Sequence, residues 1–244
     1  MSDPVVDHLM RVQADQAPAK LRAEVQDALA ITPSDQLTRW LALGGVVGPV
    51  LFVVAFIAGG VIRPGYSPIH QAASDLGVGS NPWLLNVPLV LLGVLLAAFA
   101  TSFFRGLRPA LSRTWRWICA VLLACTGLGF ADAGIFTEAP ATVALHWMVG
   151  MSLLVLGSVV GFLVTGLALR RDTQWRTWST YSLVTSLVTL VLIAVLFWVW
   201  TPGTPLAPLN LGGLMERVLF IEILAWYVAF GWRLFRGASS TAKE

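Results

Sequence analysis

Residues 40–62 read WLALGGVVGPVLFVVAFIAGGVI, 23 residues from Trp40 to Ile62 without one charged side chain. As an α-helix this run rises about 34 Å, enough to cross a hydrocarbon core of ~30 Å. Five more runs have the same character: Trp83–Phe104, Trp115–Phe136, Leu145–Leu169, Thr177–Trp200 and Leu214–Phe235. Only 12% of the 244 residues are charged and 57% are hydrophobic. A soluble domain carries about twice that charge fraction. Mean hydropathy is +0.75. The reading is an all-α, polytopic membrane protein with six transmembrane helices. Residues 1–39 form a cytoplasmic N-terminal tail, 40–236 the transmembrane domain and 237–244 a cytoplasmic C-terminal tail.

Orientation follows from lysine and arginine. Arg11, Lys20, Arg22 and Arg39 precede the first span, Arg105, Arg108, Arg113 and Arg116 join the second to the third, Arg170, Arg171 and Arg176 the fourth to the fifth, and Arg233, Arg236 and Lys243 end the chain. Arg63 and Arg217 alone fall on the opposite side. The positive-inside rule therefore predicts both termini in the cytoplasm of a cell membrane. Tryptophans mark both interfaces, with Trp40, Trp115, Trp117, Trp175, Trp178 and Trp232 inside and Trp83, Trp147, Trp198 and Trp200 outside. The net charge of +3 and pI of about 9.2 come from these short basic loops. They are a topology signal, so nucleic acid is not an expected partner. Membrane lipids are, and a homo-oligomer stays open.

No apolar core interrupts residues 1–39, so the first span itself is expected to direct insertion. Leu21, Val25, Ala28 and Leu29 recur at helical spacing after Pro18. That predicts a partly amphipathic helix, suited to anionic lipid or to a cytoplasmic protein partner. Thr32-Pro33-Ser34-Asp35 reads as the start of a helix running into the first span.

Gly44 with Gly48, and Gly157 with Gly161, have the small-residue spacing of close helix contacts. Pro49 and Pro88 interrupt hydrogen bonding inside their spans. Cys119 and Cys125 are six residues apart, on different helix faces, and should not bridge. No internal repeat is visible, which argues against an inverted-repeat transporter.

The ionisable residues in or beside the spans gather at the outer side: Arg63, His70, Asp75, Asp132, Glu138, His146, Glu216, Arg217 and Glu222. Charge at membrane depth persists where it pairs, lines a wet cavity or does chemistry. Asp132 lies one turn from the end of its span, and His146 opens the next span across a short loop carrying Glu138. Those three must be neighbours. Glu216 and Arg217 open the sixth span, with Glu222 about 9 Å deeper. In the first outer loop, Ile69–Leu76 predicts a short helix with His70 and Ser74 on one face.

Several of these stretches, in this order, resemble the bacterial membrane family catalogued as domain of unknown function 998. They are Gly44-Gly45-Val46-Val47-Gly48-Pro49-Val50-Leu51-Phe52, Arg63-Pro64-Gly65-Tyr66-Ser67-Pro68, Ser74-Asp75-Leu76-Gly77, Gly134-Ile135-Phe136 with His146, and Glu216-Arg217. The resemblance runs from Leu41 to Phe235 and implies a six-helix bacterial membrane protein without implying an activity. Glu138 stands where the family pattern suggests aspartate.

Three readings of function follow. Asp75, Asp132, His146, Glu216 and Arg217, with His70, Glu138 and Glu222, can organise an outward-facing polar pocket that binds or carries an amphiphile or small ligand. The imidazoles of His70 and His146 with Asp132 and Glu138 suit a metal-dependent membrane hydrolase, but no paired-histidine motif is present and no cofactor is specified. A serine nucleophile at Ser67 or Ser74 lacks the usual elbow sequence. The third reading is a structural or accessory subunit, in which Arg217 pairs with Asp132 or Asp75 and pins the helix ends.

Overall fold

The computed structural model describes residues 33–108 and 110–237, with side chains from Gln36 onward. The amphipathic helix expected in residues 18–29 and the short C-terminal tail lie outside the described residues. Among the described residues seven α-helices carry the fold: α1 (Pro33–Ala42), α2 (Gly44–Ile62), α3 (Trp83–Gly106), α4 (Arg113–Ile135), α5 (Val143–Leu169), α6 (Arg176–Trp200) and α7 (Gly212–Gly237). No strand occurs among the described residues. With α1 running into α2 across a one-residue break at Leu43, six rods are long and apolar enough to cross a membrane. All six expected spans are present, and α1 begins at Pro33 as the proline signal predicts. Helices continue through Pro49 and Pro88.

Consecutive helices pack side by side from α2 to α7, and α7 returns against α2. The result is a closed ring of alternating direction. One end carries the connections 63–82, 136–142 and 201–211; the other carries α1 and the connections 107–112 and 170–175. The interior is largely aromatic. Phe162, Trp226 and Phe230 stack toward the α1 end, while Phe52, Phe130 and Phe220 meet edge to face or tilted toward the other. Buried polar tips find partners: Tyr227 donates to the Leu123 carbonyl at 2.8 Å and Trp226 to Ser182 at 3.0 Å. Around the outside, Val54, Val94, Leu128, Leu187 and Val191 are more than half exposed. An apolar belt of this extent matches lipid as solvent.

Small residues let the backbones approach. A Cβ at Gly44 would lie 2.2 Å from the Leu95 carbonyl oxygen, and at Gly93 and Gly127, which face each other across α3 and α4, 2.6 and 2.8 Å from the other's carbonyl oxygen. Cys119 and Cys125 are buried and free, as their spacing implies. Helix α5 departs from regular winding twice, with π-turns at His146–Gly150 and Leu156–Val160. Such turns recur at functional sites, and the first starts at His146.

The expected helix over Ile69–Leu76 does not form. Residues 67–71 make a turn, and only Ser74–Gly77 winds, as a 3-10 helix. The backbone groups a helix would use are bound elsewhere. Ile69 accepts from the Leu214 amide, Pro68 and Gln71 accept from Arg217, and Ala72 accepts from Tyr66. His70 and Ser74 consequently do not share a face.

Gly157 and Gly161 are closely spaced on α5 but differ in room. A Cβ at Gly157 would sit 2.2 Å from Thr126 Oγ1 and 2.3 Å from its amide nitrogen, whereas at Gly161 the nearest atom is 3.4 Å away. Gly157→Ala should lose about 1–3 kcal/mol, as overpacked sites do. Gly161→Ala should stay within about 0.5 kcal/mol of wild type. Thermal melts in one detergent check this, and equal behaviour of the two variants would refute the packing described.

Candidate functional site

The site begins at the first turn of α7. Gly212 and Gly213 admit other chains where side chains would not fit: a Cβ at Gly213 would lie 2.1 Å from the Gln71 carbonyl oxygen, and one at Gly212 2.1 Å from Trp200 Nε1. The loop between α2 and α3 therefore rests directly on the start of α7. Two buried neighbours, Glu216 and Arg217, hold it there. Glu216 accepts from the Ala73 amide and from Ser74 Oγ at 3.3 Å. Arg217 Nη1 donates to the carbonyls of Pro68, Gln71 and Gly213 at 2.9, 3.0 and 2.8 Å, and Nη2 donates to the Tyr66 hydroxyl. Phe56 and Tyr66 offer ring faces to the guanidinium. Burial pushes the Tyr66 hydroxyl above its ordinary pKa even with Arg217 beside it.

Arg217 does not pair with Asp132 or Asp75, contrary to the expectation from sequence. Its donors are turned to backbone carbonyls, because the loop crosses α7 at that point and presents several at once. Asp75 sits half-buried in the 3-10 turn, and its backbone carbonyl, with that of Val78, is taken by Arg63 Nη1 at 2.5 and 2.9 Å.

Asp132, Glu138 and His146 do come together, as the short loop between α4 and α5 requires. His146 Nδ1 lies 2.8 Å from the Phe136 carbonyl oxygen, so that nitrogen carries hydrogen. Its Nε2 faces Glu138 Oε1 at 3.6 Å. Glu138 accepts from Ser74 Oγ at 2.9 Å, which links this cluster to Glu216. Asp132 is only 9% exposed, and its Oδ2 meets the Gly150 backbone but no well-formed hydrogen-bond donor among the described residues. That oxygen lies against Gly150, where a Cβ would be 2.9 Å away. Gly150 is one turn beyond His146, inside the first π-turn.

Below the cluster is a small cavity of about 50 Å3. Ser74, His146 and Glu216 line its polar end, and Phe52, Phe130, Leu154 and Phe220 line its apolar body.

Two sequence candidates lie elsewhere. His70 is exposed, and its Nδ1 bonds the Asn210 carbonyl at 2.7 Å, tying two loops outside the cavity. Glu222 accepts from Thr189 Oγ1 of α6 at 2.8 Å, deeper in the bundle and away from the cluster. Among the described residues no three His, Cys, Asp or Glu side chains form a metal-holding group, so the hydrolase reading has no ligand set there. Sequence reasoning did not single out Tyr66 as the partner of Arg217, nor Gly150 as the wall beside Asp132. The i to i+4 spacing of His146 and Gly150 was the available signal.

Residues 46–233 match the model of a protein family of unknown function, DUF998. The chain belongs to this family. The match covers the ring apart from the first two residues of α2 and the last four of α7, includes every residue of the cluster and cavity, and excludes α1. No curated protein and no solved structure matches the chain.

Arg217→Lys keeps the charge but loses the planar fork that reaches loop carbonyls and Tyr66. A loss of about 1.5–3 kcal/mol is expected, the range for hydrogen bonds to a charged group. It should appear as a lower melting temperature with faster proteolysis in residues 63–77, and a variant as stable as wild type would remove the anchoring role.

Glu138 lies between spans. Burial pushes its carboxyl above the ordinary range and Asp75 adds to this, against the Ser74 hydrogen bond and the His146 charge. A carboxyl raised in the folded state contributes stability present below its unfolded pKa and lost as pH rises through its folded pKa. Glu138→Gln stays neutral throughout. The variant should gain melting temperature on wild type as pH rises above the ordinary carboxylate range, and a pH-independent difference would contradict this.

Proposed function

We propose that this protein binds an amphiphile drawn from the membrane, with the tail along Phe52, Phe130, Leu154 and Phe220 and the head at Ser74, Glu138, His146 and Glu216. One observation carries the reading: the cavity has two ends of opposite character. A small polar ligand would leave the aromatic walls unused, and a plain hydrocarbon would set Ser74, His146 and Glu216 against apolar atoms. Asp132 and Asp75 shape the polar end, while Arg217 holds the loop that roofs it.

In the same reading the protein is a multi-pass protein of a bacterial cell membrane with both termini cytoplasmic. Fourteen of sixteen lysines and arginines lie at or beyond the α1 end, so the cavity end faces outward. A protein partner for the N-terminal tail on the cytoplasmic side belongs to the same reading.

Native mass spectrometry of the purified full chain tests the binding. Wild type should retain an amphiphile at a ratio of about one per chain. Ala133→Phe, which fills the cavity from α4, should lose it, and Leu154→Trp should do the same from α5. A wild-type protein that retains none, or filled variants that retain as much, would overturn the proposal.

A further inference from the structure

Where α2 ends and α3 begins, a second pocket of about 260 Å3 lies between Ile62, Arg63, Leu76, Ser80, Asn81 and Leu84. It shares no lining residue with the cavity described above. Ile62 and Trp83, at the neighbouring ends of two spans, are more than half exposed. The pocket therefore sits at the membrane interface of the end away from α1.

Arg63 is its one charged lining residue, and the fold uses only part of it. Nη1 donates to the carbonyls of Asp75 and Val78 at 2.5 and 2.9 Å, while Nε and Nη2 have no hydrogen-bond partner among the described residues. A guanidinium carries five N–H donors and keeps its charge, so three remain here. No carboxylate among the described residues forms an ion pair with Arg63, and the carboxyl of Asp75 is bonded to Glu138. Nη2 is bordered by Gly79, where φ is +84° and a Cβ would lie 3.1 Å from it, so the loop passes the guanidinium there without a side chain over it. Ser80, Asn81 and Leu84 bring the first turn of the 24-residue α3 to the same pocket, and the positive end of that helix with it. An Arg63 that only clamped the loop would need Nη1 alone.

We propose that this pocket is a phosphate site, taken by the head group of a membrane phospholipid whose chains lie against Ile62 and Leu84. A phosphodiester is charged at every physiological pH and offers paired oxygens to Nε and Nη2 in the fork geometry that arginine favours. A cationic head would meet Arg63. Inorganic phosphate has the same chemistry but leaves Ile62, Leu76 and Leu84 unused, and the level of the pocket in the membrane favours the lipid.

Native mass spectrometry of the full chain, delipidated in dodecyl maltoside, tests this with three probes: dioleoyl phosphatidylglycerol, dioleoylglycerol and inorganic phosphate. The arginines at the α1 end also attract anionic lipid, so the readout is the difference between wild type and Asn81→Asp. That variant sets a carboxylate in the pocket on a side chain of nearly the same shape, and aspartate tolerates the positive φ of 54° found there. Wild type should bind its tightest phosphatidylglycerol about tenfold more strongly than the variant, the worth of one charge-assisted hydrogen bond. Dioleoylglycerol should bind both alike. Ser80→Asp should act as Asn81→Asp does and serves where the first variant does not fold. Ala133→Phe, in the other cavity, should keep this lipid, so failure of the amphiphile reading and failure of the phosphate site show separately. Phosphatidylglycerol bound alike by wild type and the aspartate variants would overturn the site. Loss of the variant-sensitive lipid in millimolar inorganic phosphate would overturn the lipid as its source and leave phosphate itself.

Discussion

The start of α7 carries the constraint on which the cavity end depends. Glu216 and Arg217 are adjacent in sequence and point to different parts of one loop: the acid takes the Ala73 amide, and the base takes the Pro68 and Gln71 carbonyls. Backbone groups that would have made a helix of residues 69–76 are used to attach that segment to α7 instead. Nothing else fixes the loop so completely. Tyr66, Arg63 and His70 each tie part of it, but Arg217 reaches four groups spread over both the loop and its own helix. The roof of the cavity, Ala73 and Ser74, is placed by this attachment.

A membrane gives helices little reason to associate beyond packing and polar contact, since lipid is as apolar as their surfaces. The ring answers with two devices at different depths. Glycine pairs such as Gly93 and Gly127 bring α3 and α4 backbones together, and Gly157 seats α5 on Thr126. Aromatic rings fill the centre toward the α1 end, where Trp226 and Tyr227 also satisfy their polar tips. Toward the other end the same centre holds Phe52, Phe130 and Phe220, yet the packing stops short and leaves the cavity.

The six spans were legible because their signal is length and hydropathy, which tertiary structure does not alter. The proximity of Asp132, Glu138 and His146 was legible too, since a short loop ties two helix ends. Arg217 was read as a partner for a carboxylate because charge pairing is the strongest local expectation. Its true acceptors are carbonyls of a loop far away in sequence, invisible until the chain is folded. The loop helix failed for the same reason: residues 69–76 have helical spacing, but α7 competes for their backbone. Gly150 shows a subtler limit. A missing side chain beside a buried carboxylate has no signature in a glycine-rich apolar helix.

A polar network that served only to pin helices would be expected to satisfy its own members, since each unpaired buried oxygen costs on the order of 1–3 kcal/mol. The network here divides in two. Around Arg217 the donors and acceptors are closely matched, and that half attaches the loop. Around His146 they are not: Asp132 Oδ2 meets no well-formed donor among the described residues, and one Ser74 hydrogen lies between two carboxylates. The mismatch falls on the half that borders empty space. Matching at the anchor and deficiency beside the cavity separate the part that maintains shape from the part on which the proposed ligand reading rests.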